Sequence, residues 1–253
     1  MNDVAPGKNV LELRALEIHA PGRVLVRGID VTVVAGQVTA LCGPSGAGKS
    51  LTARACMGVL DVLPGLAAGS LRYPGWGDKD WFAGVARGGK PAQQALLRAT
   101  AALRGGYLSY SPQAASSALN PGRTIGRQLE LAIARRSKAV SPSDVGPLIR
   151  DLLDEVGLAP WVAGSLPGEL SGGMCQRAAL AIAMAPSPSV LIADEPETGL
   201  DPVLRRQVVE LILRVGKSHG CGILLISHHE DTVHRIAEHV VRLTPFSPTP
   251  EAA

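Results

Sequence analysis

Apolar and polar residues alternate along residues 11–20 ("LELRALEIHA") and 24–33 ("VLVRGIDVTV"). A two-residue period predicts strands with one buried face, and the two runs follow each other closely enough to pair antiparallel. Residues 37–43 ("QVTALCG") differ: the run is short and almost continuously apolar, as expected of a strand buried on both faces. A glycine-rich turn follows, then a helical pattern with Leu51, Ala55 and Val59 on one stripe. Residues 72–94 are rich in glycine and proline and have no clean period, so an irregular loop is expected. A short helix over 95–104 and a strand in "GYLSYSPQ" (106–113) come next. Helical periods return over 124–136 and over 144–156, where Leu148, Leu152 and Val156 are in register. After Ser171, Gly172 and Gly173, a helix carries Ala178, Ala181, Ile182 and Ala185 until Pro186 and Pro188 stop it. "SVLIADE" (189–195) is a second buried strand, ending in two acids. Asp201 then reads as an N-cap with Pro202 at the first helical position, opening a helix to about Lys217. "CGILLISHH" (221–229) is a third buried strand, ending in two histidines.

Strands alternating with helices, with polar residues at strand ends, describe a doubly wound α/β fold that binds ligands outside the carboxyl ends of its strands. One unit is expected over residues 1–245. Its core is drawn from 1–112 and 186–245, a helical insertion spans about 113–185, and 246–253 form a disordered tail.

Composition narrows the function by exclusion. The formal net charge is +3 and no block of like charge occurs, so no nucleic-acid footprint is visible. Arg135 and Arg136 read as a solvated helix end. Cys42, Cys56, Cys175 and Cys221 form no Cys-x-x-Cys pair, which argues against a zinc ribbon or a thioredoxin-type motif and suits a reducing compartment. The first ten residues have no apolar signal core, and no stretch approaches the roughly 18 apolar residues of a membrane span. A membrane role is therefore expected to run through a partner.

The chemistry begins at "GPSGAGKS", from Gly43 through Pro44, Ser45, Gly46, Ala47, Gly48 and Lys49 to Ser50, with Leu51 next. It fits Gly-x-x-x-x-Gly-Lys-Ser and lies between a buried strand and a helix, the context the motif requires. Glycines let backbone N–H groups turn inward around phosphate oxygens, and the new helix adds its positive end. Lys49 would reach the β and γ phosphates, and the Ser50 hydroxyl would ligate Mg²⁺. Asp194, at the end of a buried strand, is placed to hold Mg²⁺, and Glu195 to polarise the attacking water. "ELSGGMCQR" offers a second anion site from Ser171, two glycine N–H groups and a helix N-terminus. One chain does not easily wrap both loops round one γ-phosphate, but two chains packed head to tail do.

The phosphate loop, Gln113, "LSGGM", "LIADE", "GLD" and a late histidine occur in this order, and over residues 11–243 the chain resembles the nucleotide-binding subunits of ABC transporters. That resemblance implies a P-loop NTPase (RecA-like) parallel-sheet core with an N-terminal antiparallel β subdomain and an inserted α-helical subdomain. It implies ATP and Mg²⁺ as ligands and ATP hydrolysis as the activity. Gln113 would touch Mg²⁺ and the water and sense the permease. Ser171, Gly172 and Gly173 would contact the γ-phosphate across a dimer, Asp201 would link the two sites, and His228 would be the switch histidine, with His229 its solvated neighbour. Leu119-Asn120-Pro121 is similar to the dipeptide, oligopeptide and nickel importer branch, and "GKSLTARACMGVL" looks most like the first ATPase of nickel or nickel-chelate importers. The partners implied are a second and different ATPase chain, two membrane permeases and, indirectly, an extracytoplasmic solute-binding protein. The location implied is the cytoplasmic face of the cell membrane.

Several positions depart from the family pattern. His19, Ala20 and Pro21 stand where an adenine-stacking aromatic is usual, Ala114 and Ala115 replace an aspartate and a proline, Glu197 replaces threonine or serine, and Gly199 replaces alanine. The loop over about 74–89 is long, and the cysteine-containing C-terminal extension of peptide importers is not seen. A similar ATPase chain serving a soluble intracellular machine, such as a carbon–phosphorus bond-cleaving complex, is the rival expectation.

Overall fold

A computed structural model describes residues 5–113, 118–198 and 202–244. Asp201, Ala114, Ala115, Gly199 and the expected tail lie outside the described residues. Two sheets form. Strands β1 (Asn9–Ala20), β2 (Arg23–Val34) and β4 (Gly65–Arg72) make an antiparallel sheet in the order β2-β1-β4. Strands β3 (Val38–Cys42), β5 (Leu108–Ser111), β6 (Val190–Asp194), β7 (Gly222–Ser227) and β8 (His239–Arg242) make a parallel sheet in the order β5-β6-β7-β3-β8. The fold is the expected one.

The parallel strands are apolar at consecutive positions because both faces are covered. Val190, Ile192, Leu224 and Ile226 join one core with the antiparallel sheet, α1 (Lys49–Cys56) and α2 (Gly89–Ala99). Leu191, Ala193, Ile223 and Leu225 face the other core. That second core is built from α3 (Ile125–Ile133), α4 (Pro142–Glu155), α5 (Gly172–Met184) and α6 (Pro202–Ser218). A short α7 (Glu230–Ile236) leads into β8.

Three expectations need correction. Helix α1 stops at Cys56, so Val59 lies beyond the stripe assigned to it. Gly58, at φ +68°, closes the helix: its N–H bonds Ala55 O and the Val59 N–H bonds Arg54 O, the paired bonds of a Schellman end. The loop expected over 72–94 gives way to helix at Gly89, six residues before the helix read from periodicity. Its middle is irregular, as expected, and packed: Tyr73, Phe82 and Val85 are buried in the core and Asp80 accepts from the Leu71 and Phe82 N–H groups at 3.0 Å. Arg136 is not a solvated end. It is partly buried and donates to Ala185 O at 2.7 Å, tying the end of α3 to that of α5, and burial lowers its guanidinium pKa.

Two sheets can approach only where side chains are small. Gly222 starts β7 under the end of β2, and a Cβ there would lie 2.7 Å from Val34 O and 2.8 Å from Val33 Cγ1. Gly222→Val is expected to destabilise the chain by about 1–3 kcal/mol through overpacking. Urea unfolding followed by circular dichroism measures this, and an unchanged midpoint would show that the two sheets do not meet so closely.

Candidate functional site

The carboxyl ends of adjacent parallel strands place the side chains. Register pairs Cys42 with Ser227, Asp194 with Ile226 and Ser111 with Ala193. The phosphate loop after β3, the acids after β6, the histidines after β7 and Gln113 after β5 therefore emerge side by side.

The loop over residues 43–48 is shaped by glycine. Gly43 has φ +148°, and a Cβ on it would sit 2.4 Å from Leu243 O. Gly48 has φ +92°, caps α1, and would meet Val26 Cγ2 at 2.7 Å. Pro44, Ser45 and Gly46 are exposed, Ala47 is buried, and the loop opens at the N-terminus of α1. Lys49 is 5% exposed; its ammonium donates to Gly43 O at 2.9 Å and Pro44 O at 3.1 Å and lies 3.7 Å from Glu195 Oε1. Leu51 is partly buried against the core behind the loop.

Glu195 is where the other groups converge. Its Oε2 lies 3.4 Å from Gln113 Nε2, 3.4 Å from His228 Nδ1 and 3.2 Å from Thr198 Oγ1. The residue adopts φ +45°, a left-handed conformation costing a non-glycine residue about 1–3 kcal/mol. A bond from its N–H to Ile226 O at 3.0 Å holds it there. Asp194 is buried and accepts from the Tyr110 hydroxyl at 3.0 Å and from Ser50 Oγ at 3.4 Å. Burial raises the Asp194 pKa and the charge on Glu195 adds to the rise, while the two hydroxyl bonds oppose it. The Tyr110 phenol is pushed up to about 12, chiefly by burial and then by Asp194. Ser50 at the start of α1, Asp194 at the end of β6 and the Gln113 amide after β5 supply hard oxygen donors around neighbouring strand ends, a set that fits Mg²⁺.

The structure brings Lys49, Ser50, Gln113, Asp194, Glu195 and His228 together. It does not bring in the second loop. Ser171, Gly172 and Gly173 are exposed at the N-terminus of α5, where Ser171 Oγ caps the helix by accepting from the Met174 N–H at 3.3 Å. No hydrogen bond joins that loop to residues 43–50 among the described residues. His229 is half-buried rather than solvated. Its ring lies 4.0 Å from that of His228, and its Nδ1 is 3.5 Å from Arg205 Nη1. Sequence reasoning missed Tyr110 and Thr198 altogether. Nothing in a short strand marks which hydroxyl faces an acid 84 residues away.

A phosphate loop at the end of a buried parallel strand, with a lysine, a serine and a pair of acids in reach, defines a P-loop NTPase site. Residues 26–198 match the family described as ABC transporter. A protein of Brucella ovis, provisionally named a peptide import ATP-binding protein, is 34% identical over 94% of this chain and 67% of its own length. The nickel import ATP-binding protein NikD of Pseudomonas putida is 33% identical over 92% of this chain and 83% of its own. A solved ATP-binding subunit of an ABC transporter superposes with a TM-score of 0.68 at 26% identity, over 92% of this chain and 85% of that one. The chain belongs to the ABC transporter family, on the side of its peptide and nickel import ATP-binding proteins, and is an ATPase.

The raised pKa of Asp194 has a sign that can be tested. The folded chain holds this proton more tightly than the unfolded chain does, so ionised Asp194 costs stability at neutral pH. That cost fades as pH falls through the folded-state value. Asp194→Asn is therefore expected to raise the melting temperature of the nucleotide-free chain at pH 7, to raise it less in acid, and to bring ATP hydrolysis to background. Calorimetry across pH with a phosphate-release assay checks both, and a lower melting temperature at pH 7 would contradict the reading.

Proposed function

We propose that this chain is the ATP-hydrolysing subunit of an importer of nickel, a metal chelate or small peptides, working at the cytoplasmic face of the cell membrane through two permeases. The single observation that carries the reading is the convergence of Lys49, Gln113 and His228 on the Glu195 carboxylate beside the phosphate loop. Residues 43–51 bind the triphosphate, with Lys49 leaving its own loop carbonyls for phosphate oxygens. Ser50, Asp194 and Gln113 are the residues that would hold Mg²⁺, which would neutralise charge developing on the phosphates. Glu195 accepts a proton from the attacking water, and His228 senses the γ-phosphate. Ser171, Gly172 and Gly173 of a second ATPase chain close the site from the other side, with Asp201 linking the two sites. That second chain is a different one in this reading.

The segment 113–185 forms the helical lobe that meets the permeases, the core being 1–112 and 186–245. Adenine stacking falls to His19, whose Nε2 lies 2.6 Å from Glu17 Oε1 and whose ring is therefore held in place on β1. No helix among the described residues is long and apolar enough to cross a membrane, and the proposed attachment is peripheral. A solute-binding protein outside the cell connects only through the permeases.

Glu195→Gln keeps the shape of the side chain but removes the base. The variant is expected to bind ATP with near-normal affinity, to associate more stably with its ATPase partner in ATP, and to lose about 100-fold or more in turnover. Nucleotide-binding calorimetry and steady-state hydrolysis measure these, and wild-type turnover would remove Glu195 from the role of base.

A further inference from the structure

Glu197 is the one buried acid of the strand-end cluster that the reaction does not use. Its side chain is fully buried. Its Oε1 accepts a short hydrogen bond from the Ser227 hydroxyl, and its Oε2 has no hydrogen-bond partner among the described residues. Ser227 ends β7, immediately before His228, and its Oγ also accepts from the His229 N–H at 3.0 Å.

The arrangement continues the sheet by other means. Strands β6 and β7 pair as far as Asp194 and Ile226, and the Glu195 N–H adds one more bond to Ile226 O. Glu195 then turns left-handed, so the backbone ladder cannot go on. From there the Glu197 carboxyl and the Ser227 hydroxyl join the two strand ends, one residue past the last backbone pair on β7 and three past it on the β6 side. On the other side of the turn, the Gln176 amide donates a short bond to Pro196 O. The Glu195–Thr198 turn is thus pinned at Pro196 and at Glu197, with the catalytic carboxylate beside them.

We propose that Glu197 is a positioning residue for hydrolysis: through the buried Ser227 hydroxyl it locks the turn carrying Glu195 to the strand end carrying His228. The 3.4 Å approach of His228 Nδ1 to Glu195 Oε2 depends on this lock, because each of those groups sits within two residues of one end of it. Glu197 and Ser227 are themselves fully buried, behind the groups that face the phosphate loop. The bond needs only an acceptor at Oε1, not a charge. Burial raises the Glu197 pKa and the Glu195 charge adds to the rise, against the Ser227 bond and the His228 charge. Glutamine, which presents the same carbonyl acceptor without ionising, is therefore the conservative replacement, and alanine removes the lock.

The inference rests on the ATPase reading, and one experiment separates the two. Turnover and KM for Mg-ATP are measured for the full chain, in the assembly in which it is isolated, for wild type, Glu197→Gln, Glu197→Ala, Ser227→Ala and the double alanine variant. Glu197→Gln is expected within about threefold of wild-type kcat. Each single alanine variant is expected to lose about tenfold or more in kcat with KM changed by less than about twofold, since a small misplacement of reacting groups is costly. The double variant is expected to be no worse than the singles, because both remove one bond. Wild-type kcat in either alanine variant would overturn the proposal. So would a loss confined to KM, losses that multiply in the double variant, or a glutamine variant as impaired as the alanine one. Should Glu197→Ala fail to fold by thermal melting, Ser227→Ala and Glu197→Gln decide by the same criteria. Absence of hydrolysis by the wild type would instead count against the ATPase reading itself.

Discussion

Much of this structure answers to one carboxylate. Glu195 lies 3.7 Å from the Lys49 ammonium and about equally close to Gln113 and His228, so three segments far apart in sequence meet on one side chain. The Lys49 ammonium ties the phosphate loop to itself through the Gly43 and Pro44 carbonyls and faces Glu195 at its mouth. A triphosphate entering there competes with Glu195 and with two loop carbonyls for the same ammonium. In the proposed function this links binding to activation, because the ligand that takes Lys49 would also free the carboxylate proposed to act on water. The parallel register makes this meeting possible, since β3, β5, β6 and β7 all discharge their ends on one edge.

The site so built has one open side. The residues proposed to handle the phosphates from within the chain lie at the strand ends, while the serine–glycine loop stands exposed on α5 with Ser171 Oγ accepting a cap bond from the Met174 N–H. The cap uses only an acceptor lone pair of Ser171 Oγ, so the hydroxyl hydrogen is still able to donate to an anion that approaches the loop. The head-to-tail pairing put forward under the proposed function rests on this exposed loop.

The sequence was most legible where one physical pressure dominated. Continuous apolar runs marked β3, β6 and β7 because burial on both faces leaves no room for alternation, and the glycine–lysine spacing marked the phosphate loop because backbone must approach phosphate closely. Strand β4, "GLAAGSLR", went unread because glycine, alanine and serine along a sheet edge carry no period. β8 and α7 are four and seven residues long, too short to show one. The end of α1 was overrun because a stripe through Val59 looks helical until Gly58 is seen to turn left-handed. In the site, the charged residues announced themselves, whereas Tyr110, Thr198 and Ser227 did not. A hydroxyl's value depends on which acid the fold sets beside it, and that information is long-range.

The central claim is that this chain completes its site with another ATPase chain and spends ATP on membrane permeases. The most direct test is to tag the chain, isolate it from detergent-solubilised membranes in the presence of ATP, and identify the co-purifying chains and their ratio by native mass spectrometry. The account predicts two permeases and one further ATPase chain for each copy of this one. A complex of water-soluble proteins alone, with no permease, would contradict it and assign the same nucleotide chemistry to an intracellular machine.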